Sequence, residues 1–366
     1  MTKRILWVTA SFNHYKARFL NHFGAENSIV LTLLTGTGRS NMGDQEIDED
    51  WSFKHIKVEV PKKDFGRSKQ VKEKLQTIFA DFDWVLIPAE KKNISLLLFT
   101  LSLKNKHPSV RLFSYNHLQF KSKNRLLSIS DKTLTRFFYN RLDRVIFYTE
   151  ESCKRAVNMK MINKNKAYWA NNTIDTTEVE KYYQFELPPK HEQRILFIGR
   201  LITSKRIDDL IVYYEALQRH LPNLYLDIIG DGPEGATVNK AIKHNKNIIW
   251  HGTIVDEARI APIMRRASLV LVPGLSGLSI NHAFAYGRPY ITLAAEKHGP
   301  EISYVVHGEN GYVLDRNFGE NIKILKNLLE DYEQLAAFCR NAKATGDTLT
   351  VDQWVVQMKS SLIDAE

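Results

Sequence analysis

The stretch LVLVPGLSGLSINHAFAYGRPYI, residues 269–291, decides how the chain is read. An apolar run from Leu269 to Val272 stops at Pro273-Gly274. The small residues Ser276, Gly277 and Ser279 follow, and then an apolar, helix-like segment with His282 near its start. After Gly287-Arg288-Pro289 a second short apolar run begins. The pattern is strand, side-chain-poor loop, helix, strand. Two readings of the loop stay open at this point. Its amides around Gly277 to Ser279 face an anion at the start of the next helix, or they form a tight strand–helix connection with no ligand.

The same rhythm extends in both directions. RILWVTA, SIVLTLL, HIKVEV, WVLIPAE, VRLFSYNH, RVIFYTE and KAYWANNT read as strands in the first half, with helical segments such as Asp131 to Leu142 between most of them. RILFIGR, LYLDIIGDG, NIIWHG, LVLVPG and PYITLAA restart the series in the second half. Strands alternating with helices imply parallel sheets covered on both faces. Two series in 366 residues predict two doubly wound domains. The polar stretch Thr176 to Gln193, with Pro188-Pro189, places the boundary. The expected division is 1–178, 179–348, and a C-terminal helix in 349–366 that follows Thr345-Gly346 and packs back on the first domain.

Composition excludes several classes. With 43% apolar and 25% charged residues the chain is of the globular type, not disordered. The most apolar stretch, Ser95 to Leu103, is far short of the roughly 20 residues that span a bilayer. The apolar run after Lys3-Arg4 soon meets Asn13, His14 and Lys16, which does not read as a signal peptide. Two distant cysteines, Cys153 and Cys339, fit a reducing compartment. The expected location is cytoplasmic, peripheral on the inner face of the cell membrane. The last part of that expectation comes from charge. Residues 101–170 hold 15 Lys/Arg and 4 Asp/Glu, a balance of +11, while the whole chain is +10. One basic face for an anionic partner, or a solvated helix surface, accounts for it. Lys121, Lys123, Arg125, Lys132, Arg136 and Arg141 follow one another there, interleaved with Leu126, Leu127, Leu134, Phe137, Phe138 and Leu142 at helix-like spacing.

In open α/β sheets ligands sit beyond the carboxyl ends of the strands. In the second half those ends are Gly199-Arg200, Gly230-Asp231-Gly232-Pro233, His251-Gly252 and Pro273-Gly274. A glycine at each suggests a backbone kept bare for close approach of a ligand. In FIGRLITSKRIDDL, Arg200 follows a strand and Lys205 stands five residues on, so both cations can meet one anionic group. Two solvated surface cations are the plainer alternative.

Taken in order, Arg200 with Lys205, GDGP, WHG, the Pro-Gly loop leading to HAFAYGRP, GPEI and HGENGYVL resemble the nucleotide-sugar domain of glycosyltransferase family 4, the retaining group 1 transferases of GT-B fold. The resemblance covers residues 194–315; the first half is similar in rhythm, plus NNTID at 171–175. It implies two Rossmann-like domains facing across a cleft. It also implies a nucleoside-diphosphate sugar as donor, a glycan or polyprenyl-diphosphate-linked acceptor in cell-surface polysaccharide synthesis such as lipopolysaccharide, and no bound metal or other cofactor. No Asp-x-Asp metal motif stands at a strand end. Arg200 and Lys205 would hold the diphosphate, Gly199 would border it, and Gly230, Gly232, Gly252 and Ile254 would border the nucleobase. Gly274, Ser276, Gly277, Leu278 and Ser279 would form the phosphate loop, and Glu301 would follow the sugar pocket. His117, after the strand in FSYNHLQF, would lie near the reacting sugar, where an imidazole can position or deprotonate an acceptor hydroxyl.

Two departures stand out. The family's pair of glutamates aligns with Gly274 and His282, so both carboxylates are gone. His282 then reads either as a hydrogen-bond partner of the ribose or as a buried helix histidine. The first strand–helix turn, TASFNHYKARFL, lacks the usual glycines; His14, Lys16 and Arg18 either contact the ligand or begin a plain amphipathic helix. The expected function is retaining glycosyl transfer. The alternatives are a catalytically degenerate nucleotide-sugar-binding partner subunit and a sugar-nucleotide epimerase on the same fold; no nucleic-acid recognition motif is present.

Overall fold

The computed structural model describes residues 2–11, 14–37, 50–118, 125–294 and 297–364. Lys121 and Lys123, and the side chains of His14, Arg125, Leu126 and Leu127, lie outside the described residues. Contacts divide the chain into two compact units, one of Met1–Asn172 with Val351–Glu366, the other of Thr173–Thr350.

The first unit is built on a parallel sheet of β1 (Lys3–Thr9), β2 (Ile29–Thr35), β3 (Lys54–Lys57), β4 (Trp84–Leu86), β5 (Arg111–Asn116), β6 (Arg144–Phe147) and β7 (Ala167–Trp169), in the order β3-β2-β1-β4-β5-β6-β7. Its central strands read as unbroken apolar runs because helices cover both faces. Alternate residues enter opposite cores. Leu6, Val8, Val85, Leu112 and Val145 join one cluster. Ile5, Trp7, Trp84, Leu86, Phe113 and Ile146 join the other. The C-terminal helix Val351–Lys359 belongs to this second cluster. Its Trp354 packs on Phe19, with ring centroids 4.7 Å apart, and donates from Nε1 to the Tyr115 hydroxyl at 3.0 Å. Arg144 is buried between the rings of Trp84 and Tyr168, at 4.9 and 5.1 Å, and donates to the Ser361 carbonyl. One cation of the basic stretch is thus engaged in holding the C-terminal segment, not in a surface charge.

The second unit carries β8 (Arg194–Ile198), β9 (Tyr225–Ile229), β10 (Ile248–Gly252), β11 (Leu269–Leu271), β12 (Tyr290–Leu293) and β13 (Gly311–Leu314), parallel and ordered β10-β9-β8-β11-β12-β13. The chain begins in the middle, fills one side with β9 and β10, then crosses to β11. The order therefore reverses between β8 and β11, the place in an open α/β sheet where ligands bind beyond the carboxyl ends of the strands.

Three sequence expectations need correction. GYVL, read only as part of a motif, is the sixth strand, β13. Thr345-Gly346 does not break the chain before the last helix, because the helix Tyr332–Asp347 runs through both. Gly346 is needed there for packing: a Cβ would collide with the Phe284 carbonyl. The strand-end glycines also serve mainly packing. A Cβ on Gly230 would strike the Gly199 carbonyl, one on Gly232 would lie 2.5 Å from the Leu201 oxygen, and one on Gly274 would strike Ser204. These glycines let neighbouring loops touch. Gly252, with nothing within 4 Å of a Cβ, and Gly277, with Glu301 Oε2 at 3.8 Å as its nearest neighbour, face open space instead.

Candidate functional site

The site grows from the reversal point of the second sheet. The loop after β8 carries Gly199 and Arg200 and tightens into a short 3₁₀ turn, Thr203–Lys205. The loop after β11 carries Gly274 to Leu278 and enters the helix Ser279–Ala285. The two loops are latched together. Gly274 N–H donates to the Lys205 carbonyl at 3.2 Å, Leu275 N–H donates to the Ser204 carbonyl at 2.7 Å, and Lys205 Nζ donates to the Leu275 carbonyl at 2.5 Å. That contact explains Gly274, since no side chain fits between the loops. Any side chain at this position would force the loop after β8 to shift.

The amides of the second loop divide into two sets. Those of Gly274, Leu275 and Ser276 are engaged, the last by His298 Nδ1 at 3.2 Å. Those of Gly277, Leu278 and Ser279 donate to no protein acceptor among the described residues. Three consecutive open amides beside two cations are suited to phosphate oxygens. Ser276 was expected to face the ligand, but it is buried, with Oγ bonded to the Gly274 carbonyl at 3.2 Å and Thr292 Oγ1 at 3.1 Å. It anchors the loop. Ser279 Oγ is paired with the Tyr290 hydroxyl at 2.7 Å, which leaves its amide as the open group.

The cations differ in setting. Arg200 is exposed, and its guanidinium makes no ion pair among the described residues. Lys205 is half-buried, with its Cε 3.5 Å from where a Cβ on Gly199 would stand. Burial pushes its ammonium down to about 8, the Arg200 charge adds to this, and Glu301 opposes it. Glu301 is itself buried, its carboxylate beneath Gly277 and close against Gly299. The local balance is two cations against one carboxylate, and an incoming dianion would relieve the strain on Lys205.

His282 is resolved by its neighbours. It is 5% exposed, and its Nε2 lies 3.1 Å from the Glu257 carboxylate. The Tyr286 hydroxyl donates to the same carboxylate at 2.7 Å. Glu257 begins the helix Glu257–Arg266, which Asp256 caps by accepting from Ala258 N–H. Burial, followed by Glu257, raises the Tyr286 phenol far above its ordinary value. Of the two sequence readings, the geometry favours the buried helix histidine: the ring is enclosed and its Nε2 is engaged by a carboxylate.

The other expected residues are placed as follows. Gly230 N–H donates to the Gly252 carbonyl at 2.7 Å, so the loops after β9 and β10 meet; Gly252 has φ 67°, and Ile254 is buried just beyond. Leu278 is half-buried against the core. His117 belongs to the first unit, at the carboxyl end of β5, its ring centroid 5.6 Å from that of Tyr148. The sequence reading missed Glu257, Tyr286 and His298. None stands at a recognisable spacing from the loop; only the capping Asp256 before Glu257 marked a helix start. Among the described residues, no three or more His, Cys, Asp or Glu side chains gather as a metal centre. No helix there is long and apolar enough to cross a membrane.

Solved structures match the chain over its length. Anabaena HepE in complex with UDP has a TM-score of 0.69 at 16% identity, covering 99% of this chain and 100% of that one. It is also known with UDP-glucose. The lipopolysaccharide outer core galactosyltransferase WaaB scores 0.70 at 14% identity, with 99% and 100% covered. Sucrose-phosphate synthase from Thermosynechococcus elongatus scores 0.71 at 14% identity, with 98% of each chain covered. No curated protein matches by sequence. The chain has the α/β GT-B fold, and its residues 192–331 match the family model of glycosyl transferases, group 1.

Proposed function

We propose that the protein is a glycosyltransferase that binds a nucleoside-diphosphate sugar in its second unit and transfers the sugar, with retention of configuration and without a metal, to an acceptor bound by the first. The observation that carries this reading is the convergence of Arg200, Lys205 and the open amides of Gly277, Leu278 and Ser279 at the sheet reversal. As the bond from the sugar C1 to the diphosphate oxygen breaks, its electron pair stays on that oxygen. Preorganised cations and amides stabilise the charge that develops there. A uridine nucleotide is the first donor to test, because HepE binds UDP and UDP-glucose. The comparison with WaaB favours a glycan acceptor in cell-surface polysaccharide synthesis. His117, at the end of a first-unit strand, is the candidate to orient an acceptor hydroxyl.

The basic stretch 101–170 would bring the enzyme to an anionic membrane surface carrying a lipid-linked acceptor. Lys132, Arg136 and Arg141 are exposed on the helix Arg125–Arg141, where Ile129 is exposed as well, while Phe138 turns into the core. Nucleotide sugars screened for thermal stabilisation and for release of free sugar test the donor role, since a bound ligand raises stability by mass action. Stabilisation by one donor with slow hydrolysis is the expected result. Binding without any turnover, even with an acceptor panel, would favour the degenerate partner subunit. An altered nucleotide sugar as product would favour the epimerase.

A further inference from the structure

We propose that His298 is the positioning residue of the anion-facing loop, acting in its neutral form to hold Gly277, Leu278 and Ser279 open to the donor. This rests on the reading that the loop receives the donor diphosphate. Ser276 is the residue just before the open amides, and it is tied on every side. Its N–H donates to His298 Nδ1 at 3.2 Å, and its carbonyl accepts from Gly299 N–H at 2.7 Å. Its hydroxyl bonds to the Gly274 carbonyl and to Thr292. The opposite edge of the imidazole reaches the Leu293 carbonyl, with Nε2 at 2.8 Å. His298 thus bridges the end of β12 to the root of the loop.

This geometry selects one protonation state. Nδ1 receives an N–H and so carries no proton; Nε2 faces a carbonyl, which can only accept, and so carries one. A protonated ring would aim a second donor at the Ser276 amide and lose that bond. Histidine is the side chain that makes this change in mild acid. The charged and titratable groups nearest in the chain are Lys297 and Glu301; Lys205, beside Arg200, donates to the carbonyl of Leu275, and Tyr290 lies against Ser276, the two residues that lead into the latch.

The test uses UDP as probe, with wild type, His298→Asn and His298→Ala. Asparagine retains an acceptor for the Ser276 amide and does not titrate. Calorimetric affinity is measured at about pH 8 and about pH 5.5. UDP and Lys205 titrate alike in all three proteins, so the readout is the ratio between proteins. At the higher pH, wild type and His298→Asn should agree within about threefold, and His298→Ala should bind about tenfold more weakly. At the lower pH, wild type should fall about tenfold below His298→Asn. A constant ratio across pH, or wild-type affinity in His298→Ala at the higher pH, overturns the proposal. Hydrogen exchange of the Ser276 amide, compared at one pH without ligand, is the second measurement. It should be faster in His298→Ala than in wild type and near wild type in His298→Asn; equal protection in all three overturns the proposal. If no protein binds UDP, the donor reading loses its support and the exchange data still decide the latch.

Discussion

Replacing Lys205 with methionine keeps the unbranched stem and removes the charge. The folded protein holds this ammonium at a cost, since burial and Arg200 depress it to about 8. It donates to a neutral carbonyl, that of Leu275, and feels the opposite charge of Glu301. The substitution should therefore leave the melting temperature unchanged or slightly raised. The sign follows from linkage: with the folded value below the unfolded one, the ionised lysine opposes folding below about pH 8, and that opposition fades as pH rises toward its ordinary value. Ligand binding should respond in the other direction. A hydrogen bond to a charged group contributes about 1.5–3 kcal/mol, so Lys205→Met should weaken UDP binding roughly 10- to 150-fold. Wild-type affinity should also decline as pH rises through about 8, because the cation is lost there, and the methionine variant should lack that decline. Calorimetry across pH, with melting curves in parallel, reads both effects. A variant that melts much lower yet binds UDP normally would refute the reasoning, because Lys205 would then be a structural residue.

Two further outcomes are expected. His282→Ala should lower the melting temperature, since it removes one hydrogen bond from the half-buried Glu257 carboxylate, at about 1–3 kcal/mol, while UDP affinity per folded molecule stays the same; an intact melting point with lost affinity would restore the ribose role. The full chain should sediment with anionic vesicles at low salt and be released as salt rises, because screening shortens the reach of the surface cations; equal binding to neutral vesicles would remove the membrane role of residues 101–170.

The fold was legible because parallel strands buried on both faces are unbroken apolar runs, and the second sheet announces its carboxyl ends with glycines. What those glycines do was not legible. A glycine that admits a ligand and one that admits a neighbouring backbone have the same letter, and Gly230, Gly232 and Gly274 turn out to be of the second kind. The strand β13 was missed because its four residues, Gly311–Leu314, follow a turn without alternation or a long apolar run.

The site was half legible for a related reason. Arg200, Lys205 and the loop 277–279 lie close to strand ends, so sequence position alone brings them to the sheet reversal. Glu257 and His298 reach the same region through tertiary packing, 25 and 22 residues away from the partners they hold, His282 and Ser276. Nothing local marks them. Their effect is nevertheless to decide what the visible residues can do. Glu257 engages Nε2 of His282 inside the fold, and His298 takes the Ser276 amide that would have been a fourth open donor. Side-chain partners from outside the motif thus leave three amides of the loop open beside the two cations. The glycine at 274 belongs to the same economy of space: with the Ser204 carbonyl against it, a side chain there would force the two latched loops to shift.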